Sequence, residues 1–181
     1  MSGSTGPTGA EGPTGATGSA GATGVQGAPG AGGPAARVGR ATDQSIPTGV
    51  ATAISFTSPA MFDTGVPPMF AALVAPTRLT AFDAGKYQVS GNVLWDRPAP
   101  GGDIGTRTLE FVKNRGLPGE EIFALRINQA GEAAAMALSS LVDLAVGDYI
   151  EMLVLQDSSD PILILSPADY SPHFMAARVA F

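Results

Sequence analysis

Few side chains in this sequence are of a type and spacing that could do chemistry. Asp157 and Asp160 fall in the turn-like stretch Gln156-Asp-Ser-Ser-Asp160. Two carboxylates so placed could offer oxygen ligands to a calcium ion, although the EF-hand spacing is absent. The other reading is a solvated acidic turn. No other cofactor is expected. His173 is the one histidine, set between Pro172 and Phe174, and reads as a side chain at a strand entry. There is no cysteine, which removes disulfide, zinc-thiolate and cysteine-nucleophile chemistry. No Gly-x-Ser-x-Gly elbow occurs. A phosphate loop also fails, because Gly85-Lys86 is followed by Tyr87 and the glycine it needs at position 80 is Thr80. No catalytic residue is assigned and no enzyme is expected.

The elements that would carry these residues divide the chain in two. Half of the 24 glycines lie in the first 33 residues. They occupy Gly3, Gly6, Gly9, Gly12, Gly15, Gly18, Gly21, Gly24, Gly27, Gly30 and Gly33 without a miss. A flexible linker needs glycine but has no reason to keep a period. A collagen triple helix does, because only glycine fits at its crowded axis once per three residues. The eleven triplets would make a stalk about 100 Å long. Proline is sparse, with Pro7, Pro13 and Pro34 at the second triplet position and Pro29 at the third. The third position holds Thr5, Thr8, Thr14, Thr17 and Thr23. These threonines read either as solvated, β-branched filler or as sites of O-glycosylation. So short a rope is marginal alone, and three tails tethered to one trimeric head would offset much of the association cost. Arg37, Arg40 and Asp43 follow the repeat and are expected to help pin the junction.

The remainder is rich in Val, Leu, Ile and Phe and is long enough to bury a core. Period-two alternation recurs between turn signals. Tyr87, Val89, Gly91, Val93 and Trp95 share one face, and Lys86, Gln88, Ser90 and Asn92 the other. Leu109 pairs with Phe111, and Phe123 with Leu125 and Ile127. Residues 97–103 form a proline-rich turn, and 114–119 a second. Ala133–Leu138 has strong helix formers, yet alternation through Met136, Leu138, Ser140 and Val142 favours a strand. In Ile150–Leu155 and Ile162–Leu165 both faces are apolar, which predicts burial on both sides, either between sheets or between a sheet and a neighbouring subunit. Eight to ten such strands predict an all-β sandwich or jelly roll. Tyr87, Trp95, Tyr149 and Phe174 are expected to serve core or trimer packing.

Charge and composition exclude further classes. The net charge of −6 and the scattered Lys and Arg residues leave no basic stripe for nucleic acid. Apolar stretches such as Met69–Ala75 are far too short to span a bilayer. The start, Met-Ser-Gly-Ser-Thr-Gly, has neither a basic n-region nor an apolar h-region, so no secretory signal peptide is expected.

At this point the residues resemble a known family. "FDAGKYQVSGNVLWD", "LEFVKN", "LVDLAVGDYIEMLVLQD" and "SPHFMAARV" are similar, in order, to four strands of the complement-q/tumour-necrosis-factor-like globular heads. "ARVGRATDQSIPTGVATAISFTSPAMFDT" is similar to the opening of prokaryotic and phage-encoded members. The matches cover nearly all of 37–181. Asn114 departs from the pattern, since Arg115 intervenes before its glycine. The resemblance implies a ten-stranded jelly roll that assembles as a homotrimer. The chain is thus expected to divide into a collagen-like stalk, 1–36, and a head, 37–181. Collagen stalks feeding such heads recur in phage fibres, in spore-surface filaments and in complement-type proteins.

The expected function is a structural, adhesive fibre component of a phage virion, assembled in the host cytoplasm. Its expected partners are two more copies of itself, other virion or surface-appendage proteins, and a host surface glycan or protein receptor. The alternative is a bacterial spore-coat or cell-surface filament, which the threonine-rich triplets suit.

Overall fold

Strict alternation in Gly85–Trp95 demands one buried face. In the computed structural model this segment is a long strand whose Tyr87, Val89, Val93 and Trp95 are fully buried. The structure describes residues 1–12, 33–58, 60–98, 100, 105–128, 132–167 and 172–179. The chain forms two compact units, Met1–Gly30 and Ala31–Phe181. In the first, the described residues are exposed and carry no regular secondary structure.

The second unit holds the strands β1 (Ala35–Gly39), β2 (Gln44–Ile46), β3 (Thr52–Ala53), β4 (Phe62–Asp63), β5 (Phe70–Ala71) and β6 (Ala75–Thr80). These lead into β7 (Gly85–Trp95), β8 (Thr106–Lys113), β9 (Glu121–Asn128) and β10 (Ala134–Leu144). β11 (Tyr149–Gln156), β12 (Ile162–Leu165) and β13 (His173–Arg178) follow. The sequence placed the boundary at 36/37, but Ala35 and Ala36 already pair with Ala177 and Ala176 of the last strand.

Two antiparallel sheets result. One has seven strands in the order β2-β12-β7-β13-β1-β4, with β10 on the free side of β7. The other has six in the order β5-β6-β11-β8-β9, with β3 beside β11. Ten strands were expected and thirteen segments are described. The excess comes from residues 44–71, where β2 to β5 are only two or three residues long. Pro47, Pro67 and Pro68 interrupt this stretch, and proline cannot donate to a ladder. The expected run Ala53–Phe56 is strand-paired only at its start. Beyond it, Ile54 donates to the Met152 carbonyl and Phe56 to the Pro76 carbonyl, so the chain crosses from β11 to β6.

The helix-forming stretch is a strand: β10 pairs with β7 over its whole length, from Ala134↔Trp95 to Leu144↔Gly85. Met136, Val142 and Leu144 are buried in this register, and burial overrides the intrinsic preference of alanine. The core lies between the sheets, where the Phe174 ring sits 5.9 Å from Phe56 and 5.6 Å from Phe111. The Trp95 indole donates to Met136 Sδ at 3.2 Å. β11 is buried on both faces, Glu151 and Leu153 included. β12 is not: Ile162 and Ile164 are buried, while Leu163 is 37 % exposed in the single chain.

Candidate functional site

The strand register lays out the outer face of the seven-stranded sheet in rows. Residues directly opposite one another share a face. One row is Arg37, Met175, Ser90 and Ser139. The next is Gly39, His173, Asn92 and Ala137. A third is Ala35, Ala177, Gln88 and Leu141. Arg37 is the one side chain in these rows with a fixed charge. The rest are small or uncharged, which leaves the face flat. A shallow hollow of about 340 Å³ lies in it, lined by Ser90, Gly91, Asn92, Ala137, Leu138, Ser139 and His173. Asn92 Oδ1 accepts from the His173 backbone at 3.0 Å, and Gln88 Nε2 donates to Ser139 Oγ at 2.7 Å. Below the rows, Lys86 and Asp143 close the patch with a 2.8 Å ion pair.

A second incomplete surface runs along the β9–β10 flank. Phe123, Leu125, Ile127 and Leu138 pack against the core but remain partly exposed. Ile122 and Leu141 beside them are about half exposed. Neither surface gathers an acid, a base and a nucleophile.

Three solved structures share this arrangement of strands. Eiger TNF from S. frugiperda superposes with a TM-score of 0.60 at 12 % identity, over 83 % of this chain and 94 % of that one. Murine APRIL at pH 5.0 gives 0.59 at 14 %, over 81 % and 99 %. The globular domain of zebrafish complement 1qA gives 0.55 at 13 %, over 82 % and 98 %. The domain has the tumour-necrosis-factor/complement-q-like jelly-roll fold. No family model matches the sequence, and no curated protein matches it.

Within this jelly roll the residues singled out from the sequence fall in different places. Tyr87, Trp95 and Phe174 lie in the core. Tyr149 does not: it faces outward, with the Arg78 guanidinium 4.6 Å from its ring centroid and its hydroxyl donating to the Arg115 carbonyl. The physical reason is its register opposite Thr80, on the same face as Arg78 and Glu151. Asp157 accepts from the Thr106 backbone and lies 3.8 Å from Arg126. Asp160 accepts from the Ser159 hydroxyl and lends its backbone carbonyl to Gln156 and Ser158. Cationic Arg126 beside Asp157 opposes a calcium ion there, and among the described residues no three His, Cys, Asp or Glu side chains gather as a metal set. Arg40 is tied inside the domain, where its guanidinium donates to the Ser55 and Asp43 carbonyls. Asp43 Oδ1 accepts from the Ser166 backbone. These bonds hold loops of one head together.

Thr5, Thr8, Gly3, Gly6, Gly9 and Gly12 are exposed. A Cβ on any of these four glycines would meet nothing within 4 Å of its own chain. Gly33 is different, since a Cβ there would lie 2.8 Å from Arg178 Cβ. Gly15, Gly18, Gly21, Gly24, Gly27, Gly30, Thr14, Thr17 and Thr23 lie outside the described residues.

Sequence reasoning missed the polar groups that hold the loops. Asn114 adopts φ +50°, and its amide donates to Asp148 Oδ1 at 2.8 Å while its oxygen accepts from the Tyr149 backbone. Asp148 Oδ2 accepts from the Ala145 backbone at 2.8 Å and lies 3.4 Å from Lys113 Nζ. Burial by itself would raise the Asp148 pKa, but the bonds from Asn114, Ala145 and Lys113 outweigh it and hold it below the ordinary value. The signal was present in the adjacent motifs "VKN" and "GDY", which the register brings together. A depressed carboxyl stabilises the fold above its unfolded pKa, about 3.9, and that contribution fades as pH falls through the folded value. Asp148→Asn is therefore expected to cost about 1–2 kcal/mol at pH 7, with the gap to the parent closing below about pH 4. Urea midpoints at pH 7, 5, 4 and 3 check this. A gap of the same size at pH 3 would contradict it.

Proposed function

We propose that this chain is a structural and adhesive fibre component of a phage virion, acting as a homotrimer. The carrying observation is an unbroken run of Gly-X-Y triplets joined to a tumour-necrosis-factor/complement-q-like jelly roll. The repeat glycines at 3, 6, 9 and 12 meet nothing in their own chain, which leaves them open to the close interchain packing of a triple helix. In the head, the flat small-residue sheet face and the half-covered β9–β10 flank are two complementary kinds of surface. Apolar side chains of one copy's flank, Phe123, Leu125 and Ile127, would be covered by the neighbouring copy's face of Ser90, Asn92, Ala137 and Ser139. Three such heterologous contacts close a ring. The ring clamps the stalk, and three copies of a weak loop contact give avidity for a host surface glycan or protein.

Light scattering on the intact protein is expected to return three times the 18.2 kDa chain mass. Circular dichroism is expected to show a triple-helix melt distinct from unfolding of the head. A monomer would overturn the reading. Mass spectrometry of purified virions is expected to find the chain. Finding it in spore or cell-surface preparations instead would assign it to a bacterial filament.

A further inference from the structure

Scattered apolar side chains on a surface are ordinary, but several on one flank mark a contact site. β4 and β5 each end a sheet, on the side of the sandwich away from β9 and β10. The stretch from β4 to the start of β6 exposes Met61, Phe62, Val66, Leu73 and Val74. Leu73 is 100 % exposed, Val66 93 % and Val74 85 %. Between Asp43 and Arg78 the sequence holds one charged residue, Asp63. That carboxylate is turned onto its own loop. Its Oδ1 accepts from the Gly65 amide at 3.0 Å and its Oδ2 from the Phe70 amide at 2.9 Å. The flank therefore presents apolar tips, and the one charge of its own segment is spent on backbone amides.

The most exposed of these tips is a closed turn. β5 and β6 form a hairpin with Ala71 opposite Ala75, and the Val74 amide donates to the Ala71 carbonyl at 3.1 Å. The two outermost side chains of that turn are leucine and valine. Turns ordinarily carry Gly, Pro, Asn, Asp or Ser. The apolar stretch Met69–Ala75 cannot span a bilayer, but a turn has to reach only the boundary between headgroups and acyl chains.

Three features select the occupant. The side chains project from a turn and form no groove, so they suit a medium that yields around them. The anchors of protein interfaces are chiefly Trp, Tyr and Arg, with Leu and Val under-represented. This flank exposes Leu, Val, Met, Phe and Pro and none of those three. The net charge of −6 gives no attraction to an anionic surface. We propose that the β5–β6 turn, through Leu73 and Val74, docks the head onto the electrically neutral lipid surface of a bilayer, with Val66 on the neighbouring loop adding a weaker contact. One copy holds the whole site, so the contact stands apart from the trimer reading. Three copies would multiply a contact that is weak in each.

Flotation of the intact protein with phosphatidylcholine vesicles tests this. The protein is expected to rise with the vesicles equally at about 0.1 M and about 1 M salt, since burial of apolar surface is not screened. Leu73→Glu is expected to lower the bound fraction at least about tenfold, and Val66→Glu by less. Leu73→Phe is expected to bind as the parent does. Thermal unfolding of Leu73→Glu is expected to match the parent, because Leu73 is fully exposed. Failure of the parent protein to float would overturn the proposal. So would equal flotation of Leu73→Glu, or binding that needs anionic lipid and vanishes in high salt. If the parent stays below the vesicles and forms larger particles than Leu73→Glu by light scattering, the flank binds another copy and the proposal falls. A monomeric protein that floats would uphold the lipid contact while overturning the trimer.

Discussion

Gln156→Ala is expected to destabilise the head by about 4 kcal/mol, the sum of several buried polar groups losing their partner. Gln156 ends β11 with its side chain fully buried. Its Nε2 faces three oxygens: the Ile46 carbonyl at 3.2 Å, Thr48 Oγ1 at 3.3 Å and the Asp160 carbonyl at 3.1 Å. Its Oε1 accepts from Ser158 twice, through the backbone at 2.8 Å and through the hydroxyl. One amide therefore ties the segment after β2 to the turn 157–160, which belong to different sheets' connections. Removing it takes a donor from the Ile46 and Asp160 carbonyls and an acceptor from the buried Ser158 amide. Thermal unfolding should shift down by on the order of 10 °C for a domain of this size. Gln156→Glu makes the mechanism visible, because it keeps the shape and the acceptor but loses the donors to three oxygens. It should fall nearly as far at pH 7. A drop of less than about 1 kcal/mol in either variant would show that the turn finds other partners.

Gly91→Val is expected to cost about 3 kcal/mol through overpacking between the two sheets. Gly91 lies in mid-β7, opposite Phe174 on one side and Leu138 on the other. A Cβ there would sit 2.5 Å from Met152 Sδ, 3.1 Å from the His173 carbonyl and 3.3 Å from Phe111 Cε1. Met152 belongs to the opposite sheet, so the glycine sets how closely the sheets approach at their centre. The sulfur could swing aside, but the His173 carbonyl is ladder backbone and cannot. Valine at this position should also disturb the outer hollow that His173 and Gly91 share. Denaturant midpoints of Gly91→Ala and Gly91→Val should fall in that order. Equal stability of all three proteins would mean that the sheets part without loss.

Much of the sandwich was legible before any coordinates, because period-two alternation is a local property. A strand half buried in a sheet must alternate, and β7, β9 and β13 do. Even β10 yields to this rule against its alanine-rich propensity. The unbroken glycine period is equally local and reads as collagen-like. What alternation could not show is which strand lies beside which. The sequence "QDSSD" reads as a possible calcium turn until register brings Arg126 and the Thr106 amide onto Asp157. Tyr149 reads as core or trimer packing, and only its row places it beside Arg78 and away from the core between the sheets. Gln156 and the pair of Asp148 with Asn114 carry no periodic signal at all. Each has a partner far along the chain, Asp148 to Asn114, 34 apart, and Gln156 to Ile46, 110 apart. The sequence alone therefore determined an all-β head after a collagen-like repeat, since pattern depends on neighbours along the chain. Only the tertiary structure decided which polar groups are satisfied, since that depends on neighbours across the sheets.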